Sequence, residues 1–341
     1  MLGFDTAGFD TAGIDTAGIG QGIGTVEVGA GFWCVQRCYS RSLPLAAMYR
    51  VTRAEMRHAE QLGFDTVWVG EHHFSYDGYL PSPVSGLAFG AAELTSARPA
   101  AGVLVLPLHT PGRIAAGISA LRGTGCVAPR LAFGLGYRDD ELLSIGIDPK
   151  DRLRTYVRHL DELLSGEYDT ELGDAQLWLG GSADNMVARA ARRGLPILVP
   201  GNNGARGVAR AASVYADHLE PRAGVRPQIG VVKEVWIEDD PRRLDEARER
   251  LKSMWRHYST YWIDGEQDRD ERREQVVAGI TGKALMGSAE QVLDELSRLV
   301  EAGASTLACR IRFDSTDSAR VVENMERLAA DVLPKLRSIT V

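Results

Sequence analysis

From Val26 onward, apolar runs of strand length alternate with longer stretches whose apolar residues recur at helical spacing. "VEVGAGFWCV" reads as a strand, and "LAAMYRVTRAEMRHAEQLG" as an amphipathic helix stopped at Gly63. "DTVWVGE" and "AAGVLVLPL" are the next strand candidates, the second followed by a helix beginning near Pro111. "RLAFGLG", "AQLWLGG", "LPILVPG" and "QIGVVKEVWIE" each precede a helical stretch, and "STLACRIRF" precedes the last one. The connection between Pro81 and Ala97 is long, and its Ala-rich "GLAFGAAELT" predicts a helix inside it.

Eight strand candidates, each followed by helix and each apolar on both faces, describe strands buried on both sides. No GxGxxG follows the first strand, which favours an α/β (β/α)8 TIM barrel over an open doubly wound sheet. The segment before Val26 differs in kind. "GFDTAGFDTAGIDTAGIG" repeats a five-residue Gly/Asp/Thr/Ala unit, with too little apolar surface to offset its own ordering entropy. Residues 1–24 are therefore read as a disordered low-complexity tail, and 25–341 as one barrel domain.

Composition narrows the function classes. A formal charge of −7 argues against nucleic acid or an anionic membrane as the main partner. No apolar run approaches a membrane span, and the acidic N-terminal repeat does not read as a signal peptide, so a cytoplasmic protein is expected. Cys34 and Cys38 stand without a second pair, so a structural zinc site is not expected and the thiols are read as reduced.

In a barrel, residues at strand C-termini face the active-site mouth. Those ends supply Trp33, then Glu71, His72 and His73 in "FDTVWVGEHHF", then Pro107 to His109, Gly136 to Arg138, and Gly180 to Ser182. On an extended backbone two adjacent histidines point to opposite sides, and HExxH is absent, so no metal is expected. GxSxG is absent too. Ser182 in "LGGSADN" reads as a helix N-cap, and the same Gly-Gly-Ser turn exposes backbone N–H groups suited to a phosphate. Arg113 and Arg130 are cations beside neighbouring elements: solvated surface groups taken singly, a phosphate clamp taken together with that turn. His72 suits either a satisfied loop position or proton transfer near neutral pH. Of the tryptophans, Trp33 is the pocket candidate.

"LGFDTVWVGEHHF", "LVLPLHTPGRIA", "GLGYRDDELLSIGID" and "LWLGGSADNMVARAARRG", in this order, resemble the bacterial-luciferase-like flavin monooxygenases, as does the closing "GSAEQVLDELSRLVEAGASTLACRIRF". The resemblance implies a barrel that binds reduced FMN at the strand C-termini and uses dioxygen to oxygenate a small-molecule substrate. It implies a separate NAD(P)H:flavin reductase as partner and a homodimer. It matches His72 to the family's acid/base histidine, with Glu71 and His73 as supports. It matches Arg113 and Arg130 to phosphate-region arginines, and Gly181, Ser182 and Asn185 to the phosphate turn. The strand end at Leu106 would lie beside the flavin ring. Two departures stand out: "ISALRGTGCVAPR" is longer than the corresponding run in relatives, and only "EYDTELGDAQ" precedes the fifth strand. The short segment implies a more open or differently lidded substrate site. Same-fold rivals are a deazaflavin-dependent oxidoreductase, whose members often carry Asp-His where this chain has Glu-His-His, and a flavin-binding protein without turnover.

Overall fold

A computed structural model describes residues 25–33, 44–74, 79–201, 204–220, 227–259, 269–313 and 317–339. The N-terminal repeat read as a tail, Cys34 and Cys38 lie outside these residues. The elements run β1 (Glu27–Gly31), α1 (Leu45–Gln61), β2 (Thr66–Val69), α2 (Pro83–Ala91), β3 (Arg98–Val105) and α3 (Pro111–Arg122). Then come β4 (Arg130–Gly134), α4 (Asp139–Leu143), α5 (Arg152–Leu163), α6 (Asp169–Leu172), β5 (Gln176–Gly180), α7 (Asp184–Arg193), β6 (Ile197–Val199) and α8 (Ala205–His218). β7 (Ile229–Ile237), α9 (Pro241–Ser259), α10 (Arg269–Thr281), β8 (Leu285–Gly287), α11 (Ala289–Glu301), β9 (Thr306–Arg310), α12 (Ser318–Arg327) and α13 (Leu333–Leu336) complete the order.

The strands form a closed parallel barrel, the TIM architecture expected from their alternation with helices. β1 to β6 pair in sequence order, β6 pairs with β7, β7 with β9, and β9 returns to β1, where Glu27 sits opposite Thr306. The eight sequence-predicted strands are these eight staves. The ninth strand, β8, was not anticipated. It is three residues long and, among the described residues, pairs only with the outer part of β7, Val235 to Ile237, beyond the barrel wall. Local sequence sets several helix starts: Pro opens α2 and α3, and Ser288 with Gln291 forms a reciprocal capping box at α11.

The barrel interior is filled rather than hollow. Trp68 and Trp178 are fully buried, with ring centroids 6.5 Å apart in an edge-to-face arrangement. Small residues make room for them: a Cβ on Gly230 would lie 2.8 Å from Trp178, and one on Gly102 2.8 Å from Trp68. At the N-terminal end Arg130 donates to both carboxylate oxygens of Glu27 at 2.9 Å and twice to Gln176 Oε1, at 2.9 and 2.7 Å. Its guanidinium also lies over Trp178, 4.4 Å from the ring centroid. These contacts seal the end of the barrel away from the strand C-termini.

Candidate active site

β2 ends at Val69, and at Gly70, the next residue, a Cβ would run into the Trp33 indole. Residues 71–73 lie beyond the strand, and the expectation that His72 and His73 diverge is corrected: both meet one carboxylate, Glu141 of α4. Glu71 is buried, its Oε2 accepting from the Val105 N–H at 2.6 Å and its Oε1 from His109 Nε2 at 2.6 Å. It thereby ties the end of β2 to the end of β3. The His72 N–H donates to Leu80 O at 3.1 Å, folding the segment before α2 back over the motif.

The His72 ring lies between two partners. Nδ1 is 3.3 Å from Glu141 Oε1, and Nε2 is 3.0 Å from the Tyr137 hydroxyl. A carboxylate only accepts, so Nδ1 carries the proton and Nε2 of the neutral ring accepts from Tyr137. Tyr79, Tyr137 and Tyr258 enclose the ring at centroid distances of 4.9, 5.4 and 5.0 Å. The His73 N–H donates to Glu141 Oε1 at 2.8 Å, and its Nε2 lies 3.3 Å from Glu71 Oε1. Arg138 donates to His73 O at 2.8 Å, binds Asp140, and stands 3.6 Å from Glu141. Phe74, which ends the motif, is exposed and adopts φ 57°, an uncommon backbone state for a bulky residue. Among the described residues no group of three or more His, Cys, Asp or Glu side chains is disposed to hold a metal ion.

The electrostatics follow from this packing. Burial opposes ionisation of Glu141, but hydrogen bonds from His72 and His73 outweigh it and hold the carboxyl well below the usual range. Burial likewise opposes the His73 imidazolium, yet Glu141 and Glu71 together raise its pKa above the ordinary value. Burial pushes the Tyr258 phenol far up, with Tyr79 and Tyr137 adding to the effect. The site thus presents an ionised buried carboxylate, an oriented imidazole and, in Tyr137, a hydroxyl on a side chain half open to solvent.

Trp33 forms the floor of the mouth. It is buried, its Nε1 donates to Gly102 O, and its ring lies 6.3 Å above Trp68 with a 6° interplanar angle. Arg310 covers it at 5.3 Å. Leu106 opens a short turn directly after β3 and is wholly buried, so it belongs to the wall behind the mouth. Arg113 sits in the first turn of α3, exposed and without an ion pair among the described residues. Gly181 has φ 149°, and Ser182 and Asn185 are exposed at the start of α7. The N-cap there is Ala183, not Ser182, and no side chain among the described residues caps the helix, which leaves its first N–H groups without a capping side chain. Arg130 is a correction. As the first residue of β4 it lies at the opposite end of the barrel, engaged with Glu27 and Gln176, and cannot reach a ligand at the mouth.

Sequence reasoning missed Glu141, the carboxylate on which both histidines converge. In "YRDDELL" it reads as one more acid on a short polar helix, and nothing local separates it from the exposed Asp139 and Asp140. Tyr79 and Tyr258 were missed because they come from the segment before α2 and from the end of α9.

Comparison with known proteins gives the family and agrees with the fold. The profile of the luciferase-like monooxygenases matches residues 32–306. The chain is 27% identical over 248 residues to 4-hydroxyprotoasukamycin monooxygenase from Streptomyces nodosus subsp. asukaensis, covering 70% of this chain and 59% of that protein. The curated relatives it matches are covered over 32 to 59% of their lengths. Among solved structures, the oxygenating constituent of 3,6-diketocamphane monooxygenase from Pseudomonas putida, in complex with FMN, superimposes with a TM-score of 0.66 at 18% identity, covering 91% of this chain and 99% of that one. An F420-dependent secondary alcohol dehydrogenase, in complex with an F420-acetone adduct, gives 0.69 at 15% identity, covering 92% and 99%. At these identities the two structures speak to the fold.

Proposed function

The chain belongs to the luciferase-like monooxygenase family, and from that premise we propose that it is a monooxygenase using reduced FMN and dioxygen to oxygenate a small organic substrate. The observation that carries this reading is His72, held at the barrel mouth with Nδ1 on buried Glu141 and Nε2 turned to the Tyr137 hydroxyl. The residues present fit a flavin phosphate. The uncapped start of α7, with Ser182 and Asn185, offers backbone and side-chain donors, and exposed Arg113 offers a guanidinium from the same end of the barrel. Gly181, with its positive φ, gives the turn before α7 its shape. Reduced FMN, when bound, supplies the electrons that activate dioxygen.

The chain itself supplies placement and proton control. Trp33 and the wall behind Leu106 close the floor, so a ligand lies across the mouth rather than inside the barrel. His72 Nε2 takes or returns a proton at the mouth. Glu71 keeps the motif and the end of β3 in register through Val105 and His109. No nicotinamide fingerprint is present in the sequence, so reduced FMN would come from a separate NAD(P)H:flavin reductase. We place the protein in the cytoplasm as a homodimer on the resemblance alone; among the described residues no helix is long and apolar enough to cross a membrane.

The second reading is a deazaflavin-dependent hydride transfer, favoured by likeness to the F420-dependent dehydrogenase fold. Titration of the purified protein with FMN and with F420, followed by 18O2 incorporation across a substrate panel, separates them. FMN binding with 18O in the product, lost in His72→Ala, is expected. Tight F420 binding with negligible FMN binding would overturn the proposal.

A further inference from the structure

His72 and His73 share one carboxylate oxygen. Glu141 Oε1 is 3.3 Å from His72 Nδ1, 2.8 Å from the His73 N–H and 3.8 Å from His73 Nδ1. Two imidazoles, which exchange protons at either nitrogen, therefore flank it, with the Arg138 guanidinium 3.6 Å from the same oxygen. His73 Nδ1 is buried and makes no hydrogen bond among the described residues, although it lies 3.8 Å from that oxygen. The other nitrogen of His73 points to Glu71, which His109 and the Val105 N–H hold in place. A buried nitrogen without a hydrogen bond, 3.8 Å from a carboxylate that meets His72, is a break of one short step in an otherwise continuous path.

We propose that Glu141 is a positioning residue that couples His72 to His73, so that a proton taken up at His72 Nε2 is stored on His73. The proposal rests on the reading of His72 as the acid/base group. The transfer balances without an added reagent. Nε2–H forms as an O–H at the mouth breaks, and His72 Nδ1 passes its own proton to Glu141 Oε1. Glu141 passes one to His73 Nδ1, and a small closure of the 3.8 Å gap makes that bond. The end state is an imidazolium between Glu71 and Glu141, with the Glu141 charge restored. Running backwards, the same steps return the proton to the mouth.

The charges around the store favour it. Glu71 faces His73 from the end of β2 and Glu141 from α4, while His109 after β3 is bonded to Glu71. Arg138 is the opposing cation, and Asp140 largely occupies it. The raised His73 pKa has the sign a store requires.

The test uses the full chain without cofactor, labelled with 15N-histidine, so that it does not depend on the identity of the flavin. Long-range proton–nitrogen spectra of the wild type should show His72 as a single Nδ1–H tautomer. The His73 titration midpoint should fall by about one unit in Glu141→Gln, which removes the charge and keeps the shape. A mixed or Nε2–H tautomer at His72, or an unmoved His73 midpoint, would overturn the coupling. With FMN and substrate, kcat of the wild type should fall as pH drops through the His73 midpoint, because the store is then full. His73→Asn should abolish that acid limb. If the limb survived unchanged in the variant, the storage role would be refuted. A protein that binds only F420 would instead defeat the oxygenase reading and leave the spectra to decide the coupling.

Discussion

Replacing Arg130 by methionine separates a structural arginine from a ligand-binding one. Methionine keeps much of the length and volume but removes four hydrogen bonds, two to Glu27 and two to Gln176, and the cation over Trp178. Arg130 is 4% exposed at its side chain and Glu27 is 27% exposed, so water can recover part of the stranded carboxylate's solvation. Breaking a fully buried pair costs about 3–5 kcal/mol, and the exposure of Glu27 places this one near the lower bound. At about 2 °C per kcal/mol for a chain of this size, Tm should fall by about 6 °C. Adding Glu27→Gln removes the stranded charge and should recover about 1–2 kcal/mol, a clear departure from additivity. Circular dichroism melts and urea titrations of the four proteins give these numbers, and FMN titration of the same samples should give unchanged affinity. If Arg130→Met melted like the wild type and lost FMN, Arg130 would be a phosphate ligand and its placement at the sealed end would be wrong.

Three further outcomes follow from the same geometry. Arg113→Ala should weaken FMN binding by about tenfold or more, the worth of a charge-assisted contact, with Tm unchanged because the side chain is exposed; flavin fluorescence titration reads both the loss and its salt dependence. Gly134→Ala places a methyl 2.5 Å from the Val103 side chain and should cost about 1–3 kcal/mol by overpacking, whereas the same change in a Val103→Ala background should cost less, as urea midpoints will show. For pH, the Glu141 pKa is lowered on folding, so its contribution is present above its unfolded value, near 4.5, and fades as pH falls below that. The His73 pKa is raised, so its contribution is full below about 6.5 and is lost as pH rises through the folded value. Urea midpoints across pH should therefore decline on the acid side less steeply in Glu141→Gln than in the wild type.

The barrel could be read from the sequence because its strands are apolar on both faces and regularly separated by helices. β8 could not, since Leu-Met-Gly is too short to show a period and is a strand only because the end of β7 offers it a partner. For the site, "EHHF" lies just past the end of β2, where the barrel reading puts it, but strand alternation does not extend beyond Val69, where β2 ends. Arg130 was misplaced although a signal existed: it precedes "LAFG", so it begins its strand and faces the far end. Glu141 carried no signal. Its importance arises from a fold that brings α4 against the end of β2, a contact between residues about seventy positions apart.

The Trp33 floor also constrains how this sequence can diverge. A side chain at Gly31 or Gly70 would occupy space the indole already fills, and the indole holds its place through Gly102 and Trp68. Positions 33 and 70 therefore form one evolutionary unit, whereas Gly31 is held in addition by the Cys309 backbone carbonyl, 2.9 Å from where its Cβ would lie. A larger residue at Gly70 is tolerated only after Trp33 shrinks, and a smaller residue at 33 opens a void that selection can fill from position 70. Among relatives, side-chain volumes at these two sites should vary inversely, and a descendant that lost the tryptophan would have room for ligands deeper inside its barrel.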